Sequence, residues 1–176
     1  MQIAVISFTK NGKELADKIA GCLSEEGYEV TADIKCNGAR GSITESLGEW
    51  TGRMFQKCYA LIYVGAAGIA VRAIAPYVES KTSDPAVLVA DEKGSYIIPV
   101  LSGHIGGANE LAVSLAAGIG GSPVITTATD IICGQWISLP RRIICGLRTW
   151  RRLSGYRPDY WRARKSSWIV PVKRTG

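Results

Sequence analysis

Residues 2–8, QIAVISF, form a short run of apolar and β-branched side chains with no polar alternation, the pattern of a strand covered on both faces. The spacing then becomes helical. Asn11 with Glu14 three residues on reads as a capping box, Leu15, Ile19, Cys22 and Leu23 form one apolar stripe, and Gly27 marks the stop. YEVTADI (28–34) alternates as a half-buried strand does, and residues 35–41, with Asn37-Gly38 and Gly41, read as a loop. A second helix is predicted over 42–56, where Ile43, Leu47, Trp50 and Met54 share a face, followed by a second buried strand, ALIYV (60–64).

Beyond Val64 the chain runs through a Gly turn into an Ala-rich helix, VGAAGIAVRAIAPYV (64–78). AVLVAD (86–91) and SYIIPVL (95–101), joined by Glu92-Lys93-Gly94, predict a hairpin. Pro99 lacks an N–H for the ladder, so the second arm is expected at an edge or with a bulge. Residues 103–117 predict a Gly-rich turn and a helix stopped by the glycines of 118–121, and PVITTAT (123–129) predicts a last strand. Strands and helices alternate throughout. The expected fold class is therefore α/β: an open, mostly parallel sheet with flanking helices and one β-hairpin, followed by an irregular basic tail.

Length and composition sharpen that picture. The 176 residues suffice for one domain, perhaps with an arm, and 47% hydrophobic against 20% charged residues supports a packed core. No apolar run reaches the roughly 18 to 20 residues of a membrane span, and the start lacks a basic segment ahead of its apolar stretch, so a cytoplasmic chain with no membrane partner is expected. The net charge of +6 conceals a break. Residues 1–130 carry ten Lys or Arg against fourteen Asp or Glu, and residues 131–176 carry eleven against one, Asp159. Trp136, Trp150, Trp161 and Trp168 also lie beyond the break, so the expected units are an α/β domain over 1–130 and an Arg/Trp-rich tail over 131–176. Five scattered cysteines without a C-x-x-C pair, and one histidine, offer no zinc ligand set.

In open α/β sheets ligands gather at the carboxyl ends of strands. Three strand ends here stand out. At Gly65-Ala66-Ala67-Gly68 small residues would let backbone N–H groups approach a ligand, although close helix packing explains the glycines equally. Arg72, a turn further, could grip a carboxylate or simply be a solvated surface arginine. The second end, Ser102-Gly103-His104-Ile105-Gly106-Gly107-Ala108-Asn109-Glu110, surrounds the single histidine with three glycines ahead of a helix. A histidine there can exchange protons near neutral pH, or be an exposed loop residue. Glu110 is also explained by the positive end of the helix dipole. The third end, Thr126-Thr127-Ala128-Thr129-Asp130, suits a polar ligand and equally a helix cap. Residues 81–85 read as an ordinary turn with Asp84 as its local cap.

VGAAGIAVRAIAP, SDPAVLVADEKG, LSGHIGGANELA and PVITTATD, in that order, resemble the cobalamin-biosynthesis protein CbiG family, the cobalt-precorrin-5A hydrolases of the anaerobic vitamin B12 pathway. The resemblance is dense over 58–130 and looser over 1–57. It implies a hydrolase acting on a carbon–carbon bond: water opens the ring A δ-lactone of a cobalt-bound tetrapyrrole and a two-carbon unit leaves as acetaldehyde. His104 matches the family's SGH motif and is the expected base for water, with Glu110 or Asp130 assisting. Gly65, Gly68, Gly106 and Gly107 would offer backbone donors and Arg72 a carboxylate partner, with Ser102, Gly103, Asn109, Thr126 and Thr127 completing the substrate-binding set. The cobalt arrives with the substrate, so no cofactor and no protein metal site are expected. The expected partner is the cobalt-corrinoid substrate, with a homodimer or other enzymes of that pathway left open.

Family members continue past TATD into a linking region and a further domain, whereas from Ile131 this chain resembles them no longer. The expected protein is therefore that hydrolase in a truncated form, with its activity left open; the alternatives are a non-catalytic corrinoid- or carboxylate-binding module and a nucleic-acid-binding protein acting through the basic tail. The tail itself has three readings. A nucleic-acid arm, the less favoured partner class, would use Arg for phosphates and Trp for stacking, and a membrane-surface segment would need an amphipathic stripe that is missing. The third is a reading-frame error. Trp has one codon, so in the frame joining each third base to the next two, Trp-Ile becomes Asp and Trp-Arg becomes Glu or Ala. Reread this way from Trp136, the tail becomes acidic-to-mixed with helical spacing, and the expectation is an out-of-frame, disordered segment.

Overall fold

The computed structural model describes residues 1–80, 82–103 and 106–127. The chain divides into two units, Met1–Ile132 and Cys133–Gly176, and the second lies outside the described residues, as do the expectations for the tail. The first unit runs β1 (Gln2–Ser7), α1 (Lys10–Glu25), β2 (Glu29–Ile34), α2 (Leu47–Lys57), β3 (Ala60–Val64), α3 (Ala67–Ile74), a 3₁₀ turn (Ala75–Tyr77), β4 (Ala86–Ala90), β5 (Tyr96–Leu101), α4 (Ala108–Ile119) and β6 (Ser122–Pro123). The six strands form one sheet in the order β2-β1-β3-β4-β5-β6. All neighbours are parallel except β4 and β5, so the expected α/β fold, mostly parallel with one hairpin, is what the chain adopts.

Both faces of the sheet are covered, which explains why β1, β3 and β4 read as continuous apolar runs. Ile3, Val5, Ile62, Val64, Leu88 and Ala90 pack with Leu15, Ile19 and Leu23 of α1 and Leu111 and Leu115 of α4. On the opposite face Ala4, Ile6, Leu61, Tyr63, Val87 and Val89 pack with Trp50 and Met54 of α2 and Ala70 and Ile74 of α3. Two polar groups enter this second layer with partners: Trp50 Nε1 donates to Asp33 Oδ2 (2.8 Å), and the hydroxyls of Thr51 and Tyr63 meet at 2.9 Å.

Four boundaries differ from the sequence expectations. The cap of α1 is Thr9, whose Oγ1 accepts from Gly12 N (3.0 Å), so the box at Asn11 and Glu14 is not used. The second helix starts at Leu47 and not at 42. Ser46 and Glu49 form a true capping box, while Ser42 bridges Ile34 at the sheet edge. Apolar spacing carried the expectation too far back because Ile43 packs on the same core from a loop. The Gly-rich turn reaches Gly107, and α4 then continues to Ile119. The last strand is two residues, Ser122 and Pro123, and the described residues after it are not strand. Pro99 pairs with Leu88 beside a register irregularity at Val87 and Leu88, and the short β6 flanks only Tyr96 and Ile97 of β5. Among the described residues no helix is long and apolar enough to cross a membrane.

Candidate active site

Strand direction decides which of the expected site residues can meet. The carboxyl ends of β1, β2, β3 and β4 lie together, but β5 runs against β4 and β6 follows β5. The Gly65 turn therefore stands at one end of the sheet, and the segments after Leu101 and Pro123 stand at the other. Five residues of β4 at about 3.3 Å each separate the two ends by roughly 15 Å.

At the first end the Gly65 N–H is already donated to the Ala90 carbonyl (2.8 Å), extending the ladder between β3 and β4. A Cβ on Gly65 would stand 3.0 Å from the Phe8 ring, so close packing accounts for this glycine. Gly68 is exposed in the first turn of α3, and Arg72 lies one turn on, its Nη1 3.4 Å from the Gly68 carbonyl. Arg72 borders an open groove of about 330 Å³ between α2 and α3, with Leu47, Gly48, Ile69, Ala73 and Pro76 as the other walls. A carboxylate-bearing ligand with apolar edges would suit that groove. The pair that closes this end, Thr9 Oγ1 donating to Glu92 Oε1 (2.9 Å), was not legible, because it joins a helix cap to a hairpin turn far along the chain.

The second end brings the other two marked segments together. Ser102 is buried, with its Oγ donating to the Asp84 carbonyl (2.9 Å) and its own carbonyl accepting from Ala108 N (3.3 Å). Asp84 is buried too, and its carboxylate accepts the amides of Glu79 and Ser80 at 3.1 to 3.3 Å. Asn109 N donates to the Gly103 carbonyl (2.9 Å), and Asn109 Nδ2 donates to Thr127 Oγ1 (2.8 Å). Gly107 caps α4 in the left-handed region (φ +80°), and a Cβ there would collide with the Tyr59 hydroxyl. Thr126 and Glu110 are exposed, the latter in the first turn of α4 where the helix dipole favours its charge. His104 and Asp130 lie outside the described residues. Sequence reasoning left out Tyr59 and Asp84 from this end. Asp84 did show as a turn cap, whereas nothing local marked Tyr59.

The shifted titrations among the described residues lie within or beside α2 and β3. Burial pushes the Tyr63 phenol up to about 12, partly offset by its bond to Thr51. Burial likewise raises the Cys58 thiol, and the Ser46 backbone and hydroxyl bonds lower Glu49.

A mostly parallel six-stranded α/β sheet with two of its three marked loops at the end where β5 and β6 finish defines a class that the comparisons with known proteins make specific. Residues 49–130 match the family model described as Cobalamin synthesis G N-terminal. The chain is 42% identical over 134 residues to the cobalt-precorrin-5A hydrolase of Salmonella typhimurium, and 39% identical over 138 residues to that of Priestia megaterium. These matches cover 73% of this chain, and 36% and 35% of those proteins. A solved structure described as that of a cobalamin biosynthesis protein G homologue from Sulfolobus solfataricus superposes with a TM-score of 0.59 at 28% identity, covering 74% of this chain and 39% of that one. The chain is thus similar over most of its length to cobalt-precorrin-5A hydrolases, and its residues 49–130 are similar to the Cobalamin synthesis G N-terminal family. The chain spans about a third of the length of the relatives it matches.

Proposed function

We propose that this chain provides the N-terminal, corrinoid-binding part of a cytoplasmic cobalt-precorrin-5A hydrolase of cobalamin biosynthesis. The observation that carries the reading is the bond between Asn109 and Thr127, because it joins two of the four motifs of the resemblance at one end of the sheet. His104 would take a proton from water, which adds to the ring A lactone carbonyl and opens the ester. The freed alkoxide collapses to acetaldehyde as its carbon–carbon bond breaks, leaving the electron pair on the macrocycle. Glu110 or Asp130 would manage the protons of the leaving group. Amides around Gly106 and Gly107 would face the oxyanion. Gly65 and Arg72 stand at the other end of the sheet, so they belong to a different contact with the substrate or to none.

Acetaldehyde release from the lactone substrate, coupled to NADH oxidation by alcohol dehydrogenase, tests this. Release that disappears in His104→Ala supports it. Corrinoid binding without release supports the second reading, a binding module. We assign the tail to a frame change, since the family match ends at residue 130 where the charge balance inverts.

A further inference from the structure

Among the described residues β5 has a helix over one face only. Its Ile97 is buried in the layer of α1 and α4, in one cluster with Leu111 and Leu115 of α4. Ile98 stands opposite Val89 and belongs to the other layer, and alternation puts Tyr96 and Val100 on that side with it. The helices of that second layer stop short of β5. Trp50 and Met54 of α2 and Ala70 and Ile74 of α3 pack with side chains of β1, β3 and β4. Ile69, Arg72, Ala73 and Pro76 line the groove towards α2, which leaves Val71 on the opposite flank of α3, the flank nearest β5. Val71 and Tyr96 are 48% and 55% exposed, and Ile98 and Val100 are half-buried. Mostly parallel sheets of α/β proteins have both faces covered, so a strip of uncovered apolar side chains beside the last helix marks a contact surface.

We propose that Val71, Tyr96, Ile98 and Val100 form the docking surface for the polypeptide that follows this N-terminal part in the cobalt-precorrin-5A hydrolases. Two observations choose that occupant. The matched family model is described as N-terminal, and the matches cover 36% and 35% of the Salmonella typhimurium and Priestia megaterium proteins, so most of each of those chains lies outside the match. The chain also leaves the sheet at this border. β6 flanks Tyr96 and Ile97, Val124 N still donates to the Ile97 carbonyl (2.8 Å), and the family match ends at residue 130. None of the four side chains is charged, so the face that meets them is aliphatic or aromatic. The proposal rests on the reading of this chain as the N-terminal part of such a hydrolase.

The probe is the remainder of the Salmonella typhimurium hydrolase, the part outside the match, coexpressed with the full 176-residue chain. The two are expected to copurify. Tyr96→Lys and Val71→Lys, at exposed positions, should each weaken copurification roughly tenfold or more by placing a charge in an apolar contact, and leave the thermal midpoint of the chain alone unchanged. Val113→Lys, exposed on α4 in the other layer, should have no effect. Oxidation of Tyr96 by hydroxyl radicals, read by mass spectrometry, should fall in the copurified pair relative to the chain alone. Absence of copurification, copurification that Tyr96→Lys and Val71→Lys do not weaken, or undiminished Tyr96 oxidation in the pair overturns the proposal. A dimer of the chain alone that Tyr96→Lys breaks overturns it too, because a second copy would then be the occupant. Acetaldehyde release keeps the two claims apart. A pair that depends on Tyr96 but releases none counts against the hydrolase reading only, whereas an active pair indifferent to Tyr96→Lys overturns only the docking surface.

Discussion

Asn109 Nδ2 donates to Thr127 Oγ1 across 2.8 Å, and this bond joins the first turn of α4 to the segment leaving β6, eighteen residues further on. The start of α4 lies beside Tyr59, and Ser102 just ahead of it bonds Asp84, because β5 runs against β4. Asn109→Ala is expected to cost about 1–3 kcal/mol, the usual penalty for breaking a buried side-chain bond. Thr126→Ala, at an exposed neighbour, should stay within about 0.5 kcal/mol. Urea unfolding followed by far-UV ellipticity checks the contrast, and equal effects would contradict the geometry.

The two hydroxyls buried between α2 and β3 form a closed pair at 2.9 Å. Tyr63→Phe leaves the Thr51 hydroxyl buried and is expected to cost about 1–2 kcal/mol, whereas the double change Tyr63→Phe with Thr51→Val should recover part of that loss. The phenol also predicts an alkaline limit. Its folded value, about 12, lies above the unfolded value near 10, so the stabilisation is complete below pH 10 and is lost as pH rises towards 12. Ultraviolet tyrosinate titration should show a late phenol that is absent in Tyr63→Phe.

Helix starts give a sharp test of local structure. Thr9→Ala and Ser46→Ala each remove a side-chain cap and should lower stability by about 1 kcal/mol, while Asn11→Ala should change little. Glu49 is held below its usual value by Ser46, so the box contributes at neutral pH and is lost as pH falls through the acid range of the carboxylate. Thermal midpoints of the three variants at pH 7 would show the caps, and the difference between wild type and Glu49→Gln should shrink as pH falls through the acid range while the Ser46→Ala deficit persists.

Two left-handed glycines differ in their surroundings. Gly120 has open space around its missing Cβ, but at Gly107 that atom would collide with the Tyr59 hydroxyl. Gly120→Ala should cost about 1 kcal/mol for conformation alone. Gly107→Ala should cost distinctly more and alter the Tyr59 environment, read as a change in near-ultraviolet ellipticity.

The assignment of the tail to a frame change predicts a particular gene. Sequencing from codon 125 through several hundred bases beyond codon 176 should reveal one base inserted or deleted, with an open frame continuing as an acidic α/β chain. A sound frame across that interval would remove the assignment and make the arginines and tryptophans a feature to explain.

Period and punctuation in the chain determined the class of fold, the doubly covered strands and the hairpin, because those depend on side chains a few residues apart. The SGH and TATD strings were also legible, as was their likeness to one family. What the sequence left undecided was position. Gly65 and His104 both follow predicted strands, so they looked equivalent as carboxyl-end loops. The antiparallel pairing of β4 with β5 puts the segments that flank His104 at the opposite end from Gly65. Thr9, Ser46, Tyr59 and Asp84 gained their roles in the same way, from partners that only packing supplies. Strand direction and the bonds across the sheet are properties of the whole assembled layer, and no window of the chain contains them.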